Sequence, residues 1–254
     1  MTGTPTEKLV WDDARLADPH RQEDKARRVR AMFDEIAPTY ERVNRVMSAG
    51  RDAYWRRRAV DLARIAPDDR VIDLACGTGD FARAFWAARP ARVVGCDFAE
   101  RMLALAARRP SPAAPAKTIS WCRADALNLP FADGSFTVAS CAFGVRNWQD
   151  LARGLSEMHR VLRPGGRAVI LEFSVPSTPV IGGLYLFYFR RVLPRLATWI
   201  SGDRTGAYRY LPASVSSFID ESGMASALSS AGFGAVEHHR LTLGVVSVHI
   251  ARKT

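Results

Sequence analysis

The 254-residue chain is predicted to be an α/β protein. Its core would be a doubly wound, mostly parallel seven-stranded sheet, with N-terminal helices and a helical insertion before the last helix and strands. Two observations lead there. From about residue 70, short apolar runs alternate with helix-patterned segments, as expected for a parallel sheet covered on both faces. The composition, 48% hydrophobic and 24% charged, is that of a chain able to bury one core.

The elements follow in order. Residues 1–28 mix charge with few apolar positions and read as a loose, partly disordered arm. A domain then runs over 29–254, its segment 29–66 helical and suited to a lid or substrate region. Val29, Met32, Phe33 and Ile36 keep a helical spacing that Pro38 stops. A second helix is expected over 52–65. Strands are predicted at 70–75, 92–96, 119–123, 136–143 and 167–173, with helices at 80–88, 99–109 and 149–162. The insertion spans 174–215. A helix at 217–231 and two strands at 235–242 and 245–251 close the chain, the last pair as a hairpin.

Four cysteines without paired spacing argue against a disulfide scaffold. The histidines have no cysteine or carboxylate at ligand spacing, so no metal is expected. The N-terminus has no apolar stretch after a basic start, and the longest apolar run, 180–189, is about half of the ~20 residues that a membrane span needs. A cytoplasmic protein is expected. The net charge is +10, nearly all of it from arginine, and it suggests an anionic neighbour. The longest basic run is Arg56-Arg57-Arg58 on a helix, so no nucleic-acid arm is present and no nucleic-acid partner is expected. Half of the excess lies in 136–200.

The first strand runs into Asp73-Leu-Ala-Cys-Gly77-Thr78-Gly79-Asp80. Glycines at 77 and 79 let the backbone turn tightly and approach a ligand, and ligands of doubly wound sheets bind at the strands' carboxyl ends. The GxG alone fits a dinucleotide enzyme or a plain strand-helix turn equally well. Asp97, ending the second strand, is placed to accept ribose hydroxyls, a feature that NAD enzymes share. Asp73 inside the first strand and Asp125 after the third are not required by dehydrogenases. One can order the loop and meet a cationic amino-acid group; the other can accept from an adenine amino group. Together Asp73, Gly77, Gly79, Asp97 and Asp125 resemble the cofactor site of class I S-adenosylmethionine-dependent methyltransferases, a Rossmann-like fold.

The resemblance narrows further. FDEIAPTYERVN at 33–44, AFGVRN at 142–147, LEFS at 171–174 and YRYL at 208–211 look like signatures of the ubiquinone/menaquinone biosynthesis C-methyltransferase family, of demethylmenaquinone methyltransferase type. They run in order along the whole domain. Gly206-Ala207 and the C-terminal Arg252-Lys253-Thr254 depart from the family pattern. The resemblance implies S-adenosyl-L-methionine as cofactor and a polyprenylated quinol as substrate, methylated at a ring carbon. It places Thr78, Asp97, Asp125, Ala126 and Ala142 on cofactor-binding positions. The alternative is a methyltransferase of the same fold acting on another lipid or secondary metabolite.

Arg146, just after the fourth strand, is the candidate catalytic residue, able to stabilise a phenolate; against this stands an arginine paired with a surface carboxylate. Asn147 is expected to cap the following helix, with Asp150 three residues on. Tyr40, Tyr208 and Tyr210 are candidates for a lid or pocket. Cys76 lies close enough to the cofactor that its alkylation is expected to inhibit. Residues 181–200, aromatic and leucine-rich with three arginines, suit a peripheral contact with the inner membrane face, where a polyprenyl substrate is collected.

Overall fold

The computed structural model describes residues 9–109, 119–203 and 205–254. Strand β1 (Arg70–Leu74) lies between β2 (Arg92–Asp97) and β4 (Phe136–Ala142), and β3 (Ser120–Arg123) flanks β2, all parallel. Beyond β4 come β5 (Leu162–Phe173), β7 (Val246–Lys253) and β6 (Phe233–Leu241), giving the order β3-β2-β1-β4-β5-β7-β6. β7 runs antiparallel to both of its neighbours, as a tight hairpin requires. The order reverses between β1 and β4, which opens a crevice at their carboxyl ends.

Because side chains alternate across a strand, Val71 and Ile72 face opposite sides of the sheet. Val71, Val93, Val138 and Val169 pack under α4 (Arg51–Ala63) and α5 (Asp80–Ala87). Ile72, Leu74, Ala139 and Ile170 pack under α7 (Leu151–Val161) and α11 (Glu221–Ser230). The remaining sheet-flanking helix, α6 (Glu100–Arg108), covers β2 and β3.

Residues 1–8 lie outside the described residues, but residues 9–28, read as part of a loose arm, are packed. They form the short helix α1 (Asp13–Ala17) and the start of α2 (Lys25–Ile36). Trp11 is fully buried, its ring 4.3 Å from that of Tyr210. Lys25 and Arg28 are buried too, their aliphatic stems covered while their heads reach acceptors: Lys25 Nζ donates to Trp148 O (2.6 Å) and Arg28 Nε to Asp24 (2.9 Å). With α3 (Tyr40–Met47), this N-terminal region closes over the crevice. Val29, Met32, Ile36 and Val43 share one apolar cluster with Met102, Ala197, Tyr208 and Tyr210.

The insertion folds as α8 (Pro179–Phe187), a π turn at Tyr188–Val192, and α9 (Leu193–Ser201). Pro194 has no backbone N–H to donate, which fits the shifted hydrogen bonding just before it. Two elements differ from the sequence reading. A separate helix, α10 (Ala207–Ser216), precedes α11 despite the interior Pro212, and Asp220 starts α11 by accepting from Gly223 N at 2.8 Å. β5 begins five residues earlier than expected, because Leu162 already pairs with Phe136 across an irregularity in the ladder.

Candidate functional site

β1 delivers Asp73, with no exposed surface, to the mouth of the crevice. Its Oδ1 accepts from Ser140 Oγ (2.9 Å), while Oδ2 is buried without a partner. Burial pushes its pKa up to about 7, against the pull of Ser140 and Arg56. The chain then turns sharply through three left-handed residues, Ala75, Gly77 and Gly79. At Gly79 the reason for glycine is explicit: a Cβ there would lie 2.3 Å from the Trp121 ring. Asp97 at the end of β2 ties the turn down. Its Oδ2 accepts from Gly77 N (2.7 Å) and its Oδ1 from Ala99 N (2.8 Å). Its pKa also rises, to about 6, chiefly through burial.

Gly77, Asp97, Asp125, Ala126 and Ala142 line one cavity at this edge, beside Phe98, Met102 and Asn147. Asp73, Thr78 and Gly79 do not line it. Asp73 stands behind the turn; Thr78 is buried, its carbonyl accepting from Arg83 Nη1 at 2.9 Å; Gly79 packs on Trp121. Asp125 is exposed on one side and accepts from Leu127 N at 2.9 Å. The space left is about 60 Å³, because Phe33 and Tyr40 from the N-terminal region wall it in. That region is strapped down by Lys25 on Trp148 O, by Ala26 N on Gln149 Oε1 (2.9 Å) and by Gln149 Nε2 on Gln22 O (3.0 Å).

A second, larger cavity of about 430 Å³ adjoins the first, sharing Phe33, Tyr40 and Phe143 as lining. It is mostly apolar, with Met47, Trp55, Phe173, Phe189 and Leu193 among its walls. Tyr208 and Tyr210 line it, as anticipated, and so does Tyr185; the hydroxyls of Tyr185 and Tyr208 are buried without partners. Three arginines line this space, the exposed Arg51 and the buried Arg56 and Arg146. Arg146, 5% exposed, donates through Nη1 to Phe143 O and to Glu172 Oε1, each at 2.7 Å, and lies 5.5 Å above the Phe173 ring. The carboxylate beside it is thus buried, not a surface one. Arg56 pairs with Asp52 (2.6 Å) and lies 5.7 Å from the Phe143 ring.

Asn147 does not cap the next helix. Asp150 does, accepting from Arg153 N at 2.9 Å, whereas Asn147 accepts from Tyr210 Oη (3.0 Å) and donates to Phe143 O (3.3 Å). Cys76 is buried, and burial pushes its thiol well above the ordinary range, which disfavours the thiolate that alkylation needs. Arg56 and Phe143 were missed by sequence reasoning. Arg56 sits in the basic run Arg56-Arg57-Arg58, whose sequence does not mark which of the three is buried. Phe143 has φ of 56°, an unusual conformation for a bulky residue, which sequence does not announce. Among the described residues no cluster of histidine, cysteine and carboxylates suits a metal ion.

The fold recurs in known proteins. Two solved S-adenosylmethionine-dependent methyltransferases share the fold. The one from Thermotoga maritima has TM-score 0.64 and 20% identity, covering 89% of this chain and 100% of that one. The one from Mesorhizobium loti has TM-score 0.52 and 22% identity, covering 77% and 96%. In sequence, the demethylmenaquinone methyltransferase of Thermus thermophilus is 48% identical over 220 residues, 86% of this chain and 98% of that protein. A ubiquinone/menaquinone biosynthesis C-methyltransferase of Geotalea daltonii is 42% identical over 232 residues, 91% and 98%. The demethylmenaquinone methyltransferase of Deinococcus radiodurans is 42% identical over 233 residues, 91% and 95%. The family model of these enzymes matches residues 21–253, almost everything that folds over the crevice, and the chain therefore belongs to the ubiE/COQ5 methyltransferase family.

Proposed function

We propose that the protein methylates a ring carbon of a polyprenylated quinol, demethylmenaquinol first among candidates, using S-adenosyl-L-methionine. The observation that carries this reading is the meeting of two cavities across Phe143 and Tyr40. One is edged by acids at the ends of β2 and β3; the other is mostly apolar and includes the buried Arg56 and Arg146 in its lining.

The residues present fit the cofactor. Asp73 keeps a buried oxygen without a partner behind the turn, which suits a ligand carrying positive charge, and Asp97 and Asp125 supply acceptors for hydroxyl and amino groups. When bound, S-adenosyl-L-methionine supplies an electrophilic methyl group on a sulfonium. Gly77, Thr78 and Gly79 shape the turn around it, and Ala126 and Ala142 leave room beside the ligand. Arg146 and Arg56 do the remaining electrostatic work. A quinol carbon becomes nucleophilic as its hydroxyl ionises, and a fixed cation in a water-poor cavity favours that anion strongly. Phe33, Tyr40 and Phe143 hold the ring against the methyl, since alignment supplies much of the acceleration.

The protein's outer surface supports a lipid-borne substrate. Val180, Leu184, Phe187 and Trp199 expose 73%, 68%, 63% and 82% of their surface, on the same helices that carry Arg190, Arg191 and Arg195. No helix among the described residues is long and apolar enough to cross a membrane. We assign residues 181–200 to peripheral contact with an anionic bilayer. Flotation with anionic vesicles is expected to carry the protein upward, and a Trp199→Ser, Phe187→Ser variant to remain below; wild-type protein staying at the bottom would remove this part of the proposal.

The functional assignment is tested by anaerobic turnover with reduced demethylmenaquinone and with a polyprenyl benzoquinol, followed by mass spectrometry. Methylated menaquinol is the expected product. Turnover of neither quinol would refute the reading.

A further inference from the structure

Glu172, the carboxylate bound to Arg146, does not line the quinol cavity. It lines a different cleft of about 430 Å³. The wall there is a polar row on one face of β5 and β7: Glu172 stands opposite Ser247 in the ladder, and His249 lies two residues further along. Their neighbours Ile170, Leu171, Val246, Val248 and Ile250 are apolar and buried, and polar groups buried among them cost free energy unless partnered. Glu172 and His249 are 3% and 2% exposed. Glu172 Oε1 accepts from Arg146 Nη1 (2.7 Å) and from Phe173 N (2.9 Å), yet Oε2 has no partner. His249 Nε2 lies 3.1 Å from Ser247 Oγ, yet Nδ1 has no partner. Two such atoms on one wall fit a cleft that carries water. Phe173 lines both this cleft and the quinol cavity, so Glu172 and Phe173 form the partition between them.

We propose that Glu172 is a positioning and proton-relay residue of the methyl transfer, and that the cleft walled by Ser247 and His249 is the route by which the released proton reaches solvent. The inference rests on the C-methylation reading. In that reaction a ring carbon forms a bond to the methyl group, the sulfur–methyl bond breaks with its electron pair left on sulfur, and the ring loses its hydrogen. One proton is therefore released per turnover. Arg146 stays protonated throughout and cannot take it. The carboxylate in contact with Arg146 can: a proton arriving at Glu172 through water held by Arg146 leaves from Oε2 into the cleft.

The groups facing Glu172 are known from every side. They are Arg146 from the turn after β4, Cys141 from β4, Tyr185 from α8, Tyr210 from α10 and His249 from β7, with Asp220, Glu221 of α11 and its partner Arg240 further along the cleft and His238 beside His249. Burial raises the Glu172 carboxyl while Arg146 holds it back, and burial lowers His249 to about 4. The histidine is thus neutral near pH 7, able to accept on one nitrogen and release from the other.

The test uses the full chain with S-adenosyl-L-methionine and a short-chain reduced demethylmenaquinone. Glu172→Gln retains the size and the acceptor for Arg146. It is expected to lower kcat by about 100-fold, to change KM less than twofold, and to abolish the acidic limb of the kcat–pH profile. His249→Ala, which leaves a hole of the ring's size beside the cleft, is expected to lower kcat several-fold, with recovery on adding imidazole. Glu172→Gln with near-normal kcat and an intact acidic limb overturns the relay, as does a loss expressed mainly in KM. If Glu172→Gln fails to fold, His249→Ala decides: a lowered kcat recovered by imidazole supports the relay, and an unchanged kcat or a loss that imidazole does not recover overturns it. Absence of wild-type turnover would instead sink the C-methylation reading itself.

Discussion

Replacing Asp73 by asparagine should make the ligand-free protein more stable at pH 8 while weakening its hold on the cofactor. The side chain has no exposed surface, and burial raises its pKa from 3.8 to about 7. Each pKa unit corresponds to about 1.4 kcal/mol, so keeping Asp73 ionised above pH 7 costs up to about 4 kcal/mol. The sign follows from linkage. Because the folded-state pKa is the higher one, the contribution is favourable below about pH 4 and is lost as pH rises toward 7. Asparagine is neutral throughout and keeps the acceptor for Ser140 Oγ. Its amide nitrogen replaces the unpartnered Oδ2, and an unpaired buried donor costs about 1–3 kcal/mol. The desolvated charge outweighs that cost, leaving a net gain of about 1–3 kcal/mol at pH 8. Urea unfolding at pH 5, 6, 7 and 8 measures it. The wild type should lose stability across this range and the variant should lose much less, retaining the slope that Asp97 contributes through its own raised pKa of about 6. Calorimetric titration should show weaker S-adenosyl-L-methionine binding by the variant. Identical pH slopes for both proteins would refute the reasoning.

Arg146→Ala should reduce kcat by about 100-fold or more, because it removes a cation from a mostly apolar cavity and leaves Glu172 buried without its charge partner; steady-state kinetics with reduced demethylmenaquinone checks it. Trp11→Ala should destabilise the fold by about 3–5 kcal/mol in urea unfolding, the range for a fully buried aromatic, and a change under 1 kcal/mol would return residues 9–28 to a loose arm. Gly79→Ala should lose cofactor binding by calorimetry, since its Cβ meets Trp121 at 2.3 Å and φ of 84° strains any side chain. Raising the pH from 5 to 8 should tighten S-adenosyl-L-methionine binding, with proton release below pH 7, because the ligand's positive charge favours the ionised forms of Asp73 and Asp97.

What could be read from the sequence divides along the physics of each signal. β1 and its turn were legible because strand, glycines and acids are contiguous: Asp73, Gly77 and Asp97 fall at consecutive strand ends whatever the rest of the chain does. Asn147 was misjudged as a cap because two capping residues lie three apart, and only the hydroxyl of Tyr210, 63 residues away, decides which is used elsewhere. The N-terminal packing was hidden by its charges, for Lys25 and Arg28 are buried through their stems, which composition counts as polar. α10 was hidden by Pro212, a helix breaker that tertiary contacts override. Arg56 could not be told from Arg57 and Arg58 without knowing which face of α4 meets Phe143.

The N-terminal strap bears on both cavities. With Phe33 and Tyr40 in place, the cavity edged by Asp97 and Asp125 offers about 60 Å³, below the ~300 Å³ of small-molecule sites, so the proposed cofactor binding would require these two side chains to give way. The same two residues wall the second, apolar cavity. The two cavities therefore share one wall. A displacement of Phe33 or Tyr40 would widen both at once, coupling the room for one ligand to the room for the other.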